Sequence, residues 1–281
     1  MTALPPPVSD SALSLLPLDP LPTRHGPVPP GFRGVWRRTL LEGPGFVTDT
    51  RSTVLWLQTA HWHGDLRIPA NRPDFGDCRS LTDTSHDQRV WLAAQQGFAG
   101  ITEVRAADHA QALGVPQHLR SITADSPWCQ WHRHIDFQPP RQGRDLGVMV
   151  FDATGDVVEE YGVDADYHET WVRLPHSIDA CSAWQRPDSA AGTEWLLLAG
   201  NWFYHLSDCR PSALQQSLNQ PSPQSGSPVA LASVAALDLA LCFGCWDTAS
   251  SSGLILHATL PWLEGTEVRL AGTWNPLDAH F

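Results

Sequence analysis

Hydrophobic and polar positions alternate most clearly between Arg51 and Pro73, in the segment RSTVLWLQTAHWHGDLRIPANRP. A period of two is typical of a β-strand, because successive side chains of a strand point to opposite faces of the sheet. The pattern predicts one long strand with an apolar face and a second face that becomes polar halfway along. The apolar face carries Val54, Trp56, Gln58, Ala60, Trp62, Gly64, Leu66 and Ile68, and the other carries Leu55, Leu57, Thr59, His61, His63, Asp65 and Arg67.

A weaker copy of this pattern lies between Thr193 and Pro211, where Trp202 aligns with Trp62 and an Arg-Pro pair closes each segment. The copy predicts a second, related lobe. Alternation and turn signals predict strands elsewhere in the chain as well. These are a first strand in Phe32–Leu41, a helical turn that runs into a strand at Gly97, a strand in Trp128–Pro140, a three-stranded meander in Arg144–Pro175 and two strands after Gly253, followed by a tail from Thr273.

Many short strands separated by turns, with few helices, indicate an all-β barrel or sandwich. We expect a proline-rich tail in residues 1–30, an N-terminal antiparallel barrel lobe in residues 31–175 and a C-terminal barrel lobe in residues 176–281. A polar connector that ends at Pro228 interrupts the second lobe.

Composition excludes several classes of function. The 281 residues carry a formal net charge of −12, and all 18 positive side chains are arginine. Nucleic-acid binding requires a basic face, so we expect no nucleic-acid partner. No run of about 18 apolar residues is present, and the N-terminus has no basic start, so we expect no membrane span, no secretory signal and a cytoplasmic location. Six scattered cysteines are typical of reduced thiols.

Three segments resemble a fungal family of two-lobed, lipocalin-like β-barrel proteins first named as interactors of a casein-kinase-like protein kinase. The segments are VLWLQTAHWHGDLRIP, FDATGDVVEEYGVDADYHETW and EWLLLAGNWFYHLSD, and from the first to the last they span roughly half of the chain. The resemblance implies two lipocalin-like barrels in one chain. It implies no catalytic residues, since the activity of that family is not established.

A repeated H-x-H-x-D motif is the most specific local signal. It occurs as His61, His63 and Asp65 and again as His132, His134 and Asp136. Each motif places two imidazoles and a carboxylate in a row on one face of a strand, and neighbouring strands would combine them into a site for zinc, iron or manganese. The alternative is that both rows form the wet face of a sheet.

A second group of polar residues lies on apolar faces. Arg133 stands between Trp131 and Ile135, and Glu169 stands between Tyr167 and Trp171. An unpaired buried charge is costly, so we expect Arg133 and Glu169 to pair if both project into one barrel, with or without a ligand beside them. Glu159 and Glu160, next to a turn, are expected to be solvated; the alternative is that one of them reaches Arg133.

The leading hypothesis is a soluble barrel protein that encloses a small apolar or aromatic molecule without a cofactor. Arg133 and Glu169 would be catalytic if the protein is an isomerase, lyase or cyclase. The expected ligand-binding residues are Trp56, Gln58, Trp62, Trp131, Tyr167 and Trp171. One alternative is a metal-dependent hydrolase or oxygenase with zinc or iron on His61, His63, His132 and His134, and another is a protein-interaction module.

Overall fold

The computed structural model describes residues 26–44, 48–106, 125–138, 144–186, 192–211, 233–269 and 271–277. The predicted proline-rich tail lies outside the described residues up to residue 25, and so do most of the connector and the end of the C-terminal tail. Residues 26–30 contact the barrel, because Val28 is buried and its N–H donates to the carbonyl oxygen of Ala60 at 2.8 Å.

Eight antiparallel strands form a closed barrel in which each strand pairs with the next and the eighth pairs with the first. They are β1 (Gly34–Glu42), β2 (Thr53–Gln58), β3 (Trp62–Ile68), β4 (Gln96–Arg105), β5 (Trp128–Asp136), β6 (Leu146–Phe151), β7 (Val157–Gly162) and β8 (His168–Arg173). This order is that of an up-and-down barrel. The predicted first strand, the strand in Trp128–Pro140 and the three-stranded meander are confirmed.

The predicted helical turn before Gly97 is helix α1 (His86–Ala93). Ser85 begins it with a capping box, in which the Ser85 side chain accepts from the Gln88 N–H and the Gln88 side chain accepts from the Ser85 N–H. The strand predicted at Gly97 is β4.

The single long strand predicted between Arg51 and Pro73 is wrong, because the segment is the hairpin of β2 and β3. Thr59 makes the turn: its N–H donates to the Trp62 carbonyl at 2.8 Å, and its hydroxyl oxygen accepts from the Trp62 N–H at 3.0 Å. Trp56 lies directly opposite Asp65 in the register, so an even position on β2 shares a face with an odd position on β3. The turn therefore brings Asp65 inward beside Trp56 and sends Trp62 outward.

The second lobe is an open seven-stranded sheet, a half-barrel, across the described residues, and this corrects the closed barrel expected for residues 176–281. Its order is β14-β13-β12-β11-β10-β9-β15. The strands are β9 (Cys181–Arg186), β10 (Thr193–Ala199), β11 (Trp202–Asp208), β12 (Leu239–Asp247), β13 (Ser252–Ala258), β14 (Glu267–Arg269) and β15 (Asn275–Pro276), with a short helix α2 (Val234–Leu237) before β12.

The copied segment near Trp202 is also a hairpin, formed by β10 and β11. It turns at Gly200, whose φ of 55° is left-handed and favours glycine. The tail predicted from Thr273 is wrong for its described part, because Trp274 and Leu277 are buried and β15 pairs with β9.

One large core joins the two lobes. Outward side chains of the barrel, such as Trp62 and Leu66, pack against side chains of the second sheet, such as Trp195 and Tyr204. The rings of Trp62 and Trp195 meet edge to face with centroids 5.0 Å apart. Separate apolar clusters fill the barrel interior and the other face of the second sheet. No helix among the described residues is long and apolar enough to cross a membrane.

Candidate ligand-binding site in the barrel

One half of the barrel interior is aromatic. Trp36, Trp56, Trp131 and Trp171 are all buried there. Trp56 stacks on Trp36 with centroids 6.1 Å apart, and it meets Trp131 at 5.7 Å and Trp171 at 5.9 Å with nearly perpendicular ring planes. Perpendicular pairs are a favoured aromatic geometry, so these rings form a fixed apolar wall.

The other half of the interior is charged. Arg38 on β1 donates to Glu169 on β8 at 2.6 Å and to Asp49 at 2.7 Å. Arg67 on β3 forms two hydrogen bonds with Asp65 at 2.8 and 3.2 Å, and its nearest contact with Glu169 is 3.8 Å. Strands that are distant in sequence therefore share one buried ionic network.

Arg133 belongs to the same charged half but has different partners from those predicted. It forms two hydrogen bonds with Asp145, the shorter at 2.6 Å, and one with Asp136 at 2.8 Å. Its guanidinium lies 3.6 Å from the centroid of the Phe98 ring. The predicted Arg133–Glu169 ion pair is wrong, since each charge has a nearer partner of opposite sign, Asp145 and Arg38 respectively.

Glu160 on β7 differs from the other carboxyl groups of this half. It is 3% exposed, and within the described part of the chain no arginine lies within ion-pair distance of it. Tyr167 donates its hydroxyl to Oε1 at 2.7 Å and Trp171 donates its indole N–H to Oε2 at 3.0 Å. Burial, with the nearby charge of Glu169, raises the pKa of Glu160 to about 8. The expectation that Glu160 is solvated is wrong.

A narrow cleft separates the aromatic and charged halves. Its empty volume is about 260 Å³, which includes the part open to solvent. The lining side chains are Trp56, Asp65, Arg67, Phe98, Trp131, Asp145, Glu160 and Trp171. The cleft thus combines apolar walls with a few polar groups, which is the usual composition of a ligand site.

The structure brings only some of the predicted binding residues to this cleft. Trp56, Trp131 and Trp171 line it, and Tyr167 lies behind Glu160 through their hydrogen bond. Gln58 is buried but does not line the cleft. Its Oε1 accepts from the Trp56 indole N–H at 3.3 Å. Trp62 lies outside the barrel in the core between the lobes, so it does not line the cleft with the others.

His63 faces the barrel interior and is fully buried. The Thr102 hydroxyl donates to Gln58 at 2.7 Å and lies 2.9 Å from His63 Nδ1, which must therefore carry the proton. Burial, with the nearby charge of Arg133, lowers the pKa of His63 well below its ordinary value, so the imidazole is neutral. Its Nε2 has no hydrogen-bond partner within the described part of the chain.

The other three histidines of the predicted metal site lie elsewhere. His132 Nε2 is 3.2 Å from a carboxylate oxygen of Glu103, and His134 packs against Trp62 with ring centroids 5.5 Å apart. His61 is buried in the turn between β2 and β3. Across the described ranges, no three histidine, cysteine, aspartate or glutamate side chains come together as a metal site.

The sequence pattern did not place several of the site residues in the barrel interior. Asp65 and Arg67 were assigned to the outer face because the turn at Thr59 was not recognised. Glu160 shares the buried face of β7 with Val158 and Gly162, but the sequence VVEEYG does not show which of its two glutamates faces the interior. Asp145 precedes β6 in a loop, where no periodicity could assign it to the interior.

The fold and the cleft define the class of this protein: an all-β protein with a closed eight-stranded barrel and an attached half-barrel sheet. No family model matches the sequence, and no curated protein matches it. Among solved structures, an uncharacterized protein of Saccharomyces cerevisiae, YLR301w, is similar. That similarity has 11% sequence identity and a TM-score of 0.48, and covers 87% of this chain and 97% of the yeast chain.

Proposed function

We propose that the N-terminal barrel binds a small molecule in the cleft between its aromatic and charged halves, in the manner of a lipocalin-like calyx. The observation that carries the proposal is the position of Glu160, a buried carboxyl group that lines an indole-walled cleft without an arginine partner. Lipocalins are closed eight-stranded up-and-down barrels, and the strand order here is of that kind.

The dimensions of the cleft support a small ligand. The cleft is narrow, and its empty volume of about 260 Å³ includes the part open to solvent, so only a small group fits between its walls. A molecule with one apolar or aromatic group and one polar group matches such a space. Its apolar part would contact Trp56 and Trp131, and its polar part would reach Glu160.

Acid-base chemistry is a second candidate for the same site. A carboxyl group with a pKa of about 8 holds a proton at neutral pH and can release it, which suits a general acid or base. Glu160 supports an isomerase, lyase or cyclase without a cofactor better than Glu169 does, because Glu169 is held by Arg38. Arg133 and Glu169 would then shape the electrostatic field around Glu160.

Titration of tryptophan fluorescence with benzyl alcohol and with benzylamine tests the binding proposal. We expect at least one probe to bind, and the Trp131→Phe variant to bind it several-fold more weakly. Trp246→Phe is the matched control, because Trp246 is buried in the cluster on the far face of the second sheet. Absence of any binding, or equal weakening in both variants, would contradict the proposal.

A further inference from the structure

The walls of the cleft are suited to a positive charge. Trp56 is nearly perpendicular to both Trp131 and Trp171, so indole rings meet the space from different directions. The face of an indole carries negative electrostatic potential and attracts cations, and aromatic enclosures of this kind recognise substituted ammonium groups. Phe98 already makes such a contact, since the Arg133 guanidinium lies 3.6 Å from its centroid.

The charges around the cleft also favour a cation. The ionic network contains three guanidinium groups, those of Arg38, Arg67 and Arg133, each paired with a carboxylate. Six carboxyl groups surround them. They are Asp49, Asp65, Asp136, Asp145, Glu160 and Glu169. At neutral pH, where Glu160 holds its proton, five ionised acids against three arginines leave a formal charge of −2, which becomes −3 when Glu160 ionises, and low-dielectric walls strengthen its field.

Among these six carboxyl groups, Glu160 is the one that does not pair with an arginine in the described part of the chain. Each of the other five acids lies within 3 Å of an arginine nitrogen, whereas among the described residues Glu160 receives only the neutral donors Tyr167 and Trp171. Trp171 thus lines the cleft and also holds the carboxyl group. An ammonium group between this carboxyl and the wall would contact an aromatic ring and an anion together.

We propose that the cleft recognises the cationic group of a small organic amine or quaternary ammonium compound, held between the indoles of Trp56 and Trp131 and the carboxylate of Glu160. This inference rests on the binding function proposed above and specifies the class of ligand. A neutral molecule of the same shape makes the apolar contacts alone and binds more weakly.

Binding of a cation should release a proton. The groups that face Glu160 are Tyr167, Glu169 and Trp171 around β8, Asp145 before β6 and Arg67 on β3, and together they leave it protonated at neutral pH. A bound ammonium group favours the ionised form of the carboxyl. Affinity for the cation should therefore rise between pH 6 and pH 8, because less work is then needed to remove the proton.

Choline and its neutral carbon analogue 3,3-dimethylbutan-1-ol form the matched pair of probes. They differ in charge and hardly in shape. We expect the full-length protein to bind choline about tenfold more tightly than the alcohol, the ratio that corresponds to a strong cation–π contact. Equal or weaker binding of choline, or binding of neither probe, would overturn the inference.

Glu160→Gln tests the role of the carboxyl group. We expect it to remove the preference for choline and the proton release, which calorimetry at pH 7 in phosphate and in Tris buffers measures. Glu159→Gln is the control, because Glu159 is the neighbour on the same strand and bonds instead to His168 at 2.7 Å. Proton release that persists in Glu160→Gln would contradict the assignment.

The two proposals fail in different ways. If benzyl alcohol still binds with the Trp131 dependence described above while choline shows no preference over its analogue, the inference about charge is wrong and the binding site stands. If no probe of either pair binds, both are wrong.

Discussion

The ring of Tyr204 in the second sheet lies directly over Gly64 of the barrel, and a Cβ atom added at Gly64 would stand 2.3 Å from Tyr204 Cδ1. The Tyr204 hydroxyl then reaches the backbone carbonyl of Phe98 on β4 at 3.3 Å. The two lobes are therefore in contact through a glycine that no other residue can replace without movement.

Gly64→Ala should destabilise the protein by about 1 to 3 kcal/mol, because the added methyl group overpacks the core between the lobes. Chemical denaturation gives the free energy of unfolding. Gly31→Ala serves as the control, since a Cβ there meets nothing within 4 Å. A Gly64→Ala protein as stable as the wild type would show that the lobes are packed less tightly than described.

Arg38→Met should cost about 3 to 5 kcal/mol, because it leaves the buried Glu169 carboxylate without its partner at 2.6 Å. The double variant Arg38→Met with Glu169→Leu should recover part of this loss, since both charges are then removed. Arg269→Met is the surface control; its pair with Glu267 is exposed and should contribute less than about 1 kcal/mol. Equal losses for the buried and the exposed pair would contradict the ionic network.

Glu160 should make stability fall as pH rises. Its pKa is 4.5 when exposed and about 8 in the folded protein, so the folded state holds a proton that the unfolded state has lost between these values. The contribution is complete below about pH 4.5 and is lost as pH rises through 8. Thermal unfolding of wild type and of Glu160→Gln from pH 5 to pH 8 should show the smaller decline in the variant, and identical slopes would refute the raised pKa.

Cys242 and Cys245, which lie three residues apart on β12, should differ sharply in reactivity. Cys245 is exposed, whereas Cys242 is buried and its burial raises the pKa of the thiol to about 12. A thiol reagent at pH 8 should modify Cys245 rapidly and Cys242 only after denaturation. Peptide mapping assigns the label to individual cysteines, since Cys78, Cys181 and Cys209 are also partly exposed, and rapid modification of Cys242 in the Cys245→Ser variant would contradict its burial.

Much of the fold follows from local pattern. Alternation located β1, β5 and the meander of β6 to β8, because each strand has one face in a core and one face elsewhere. The turns at Thr59 and Gly200 were missed although turn-forming residues stand at both, Thr59 in the first and Gly200–Asn201 in the second, because the apolar alternation of the flanking strands runs on through each of them. The open edge of the second sheet depends on pairings between distant strands, which local periodicity does not contain.

The candidate site was predicted in part. Trp56, Trp131 and Trp171 were assigned to one wall by their positions on apolar strand faces, and the structure places them together at the cleft. Arg133 and Glu169 were recognised as charges on apolar faces, but their partners Asp145 and Arg38 are on other strands. The alternative metal site on four histidines required the two motif strands to be neighbours, but β4 lies between β3 and β5, and the hairpin turns His63 into the barrel.

The sequence by itself determined that this protein is built of short antiparallel strands with a tryptophan-rich interior and an acidic charge balance. The period of side chains along a strand is local, so it can be read from neighbouring residues. Only the tertiary structure decided which face of each strand is inside, which arginine meets which carboxylate, and that Glu160 is left without one. The reversal at Thr59 exchanges the two faces of β3 relative to the single strand that the pattern predicts, and closure of the barrel sets the ion pairs between strands that are far apart in the chain.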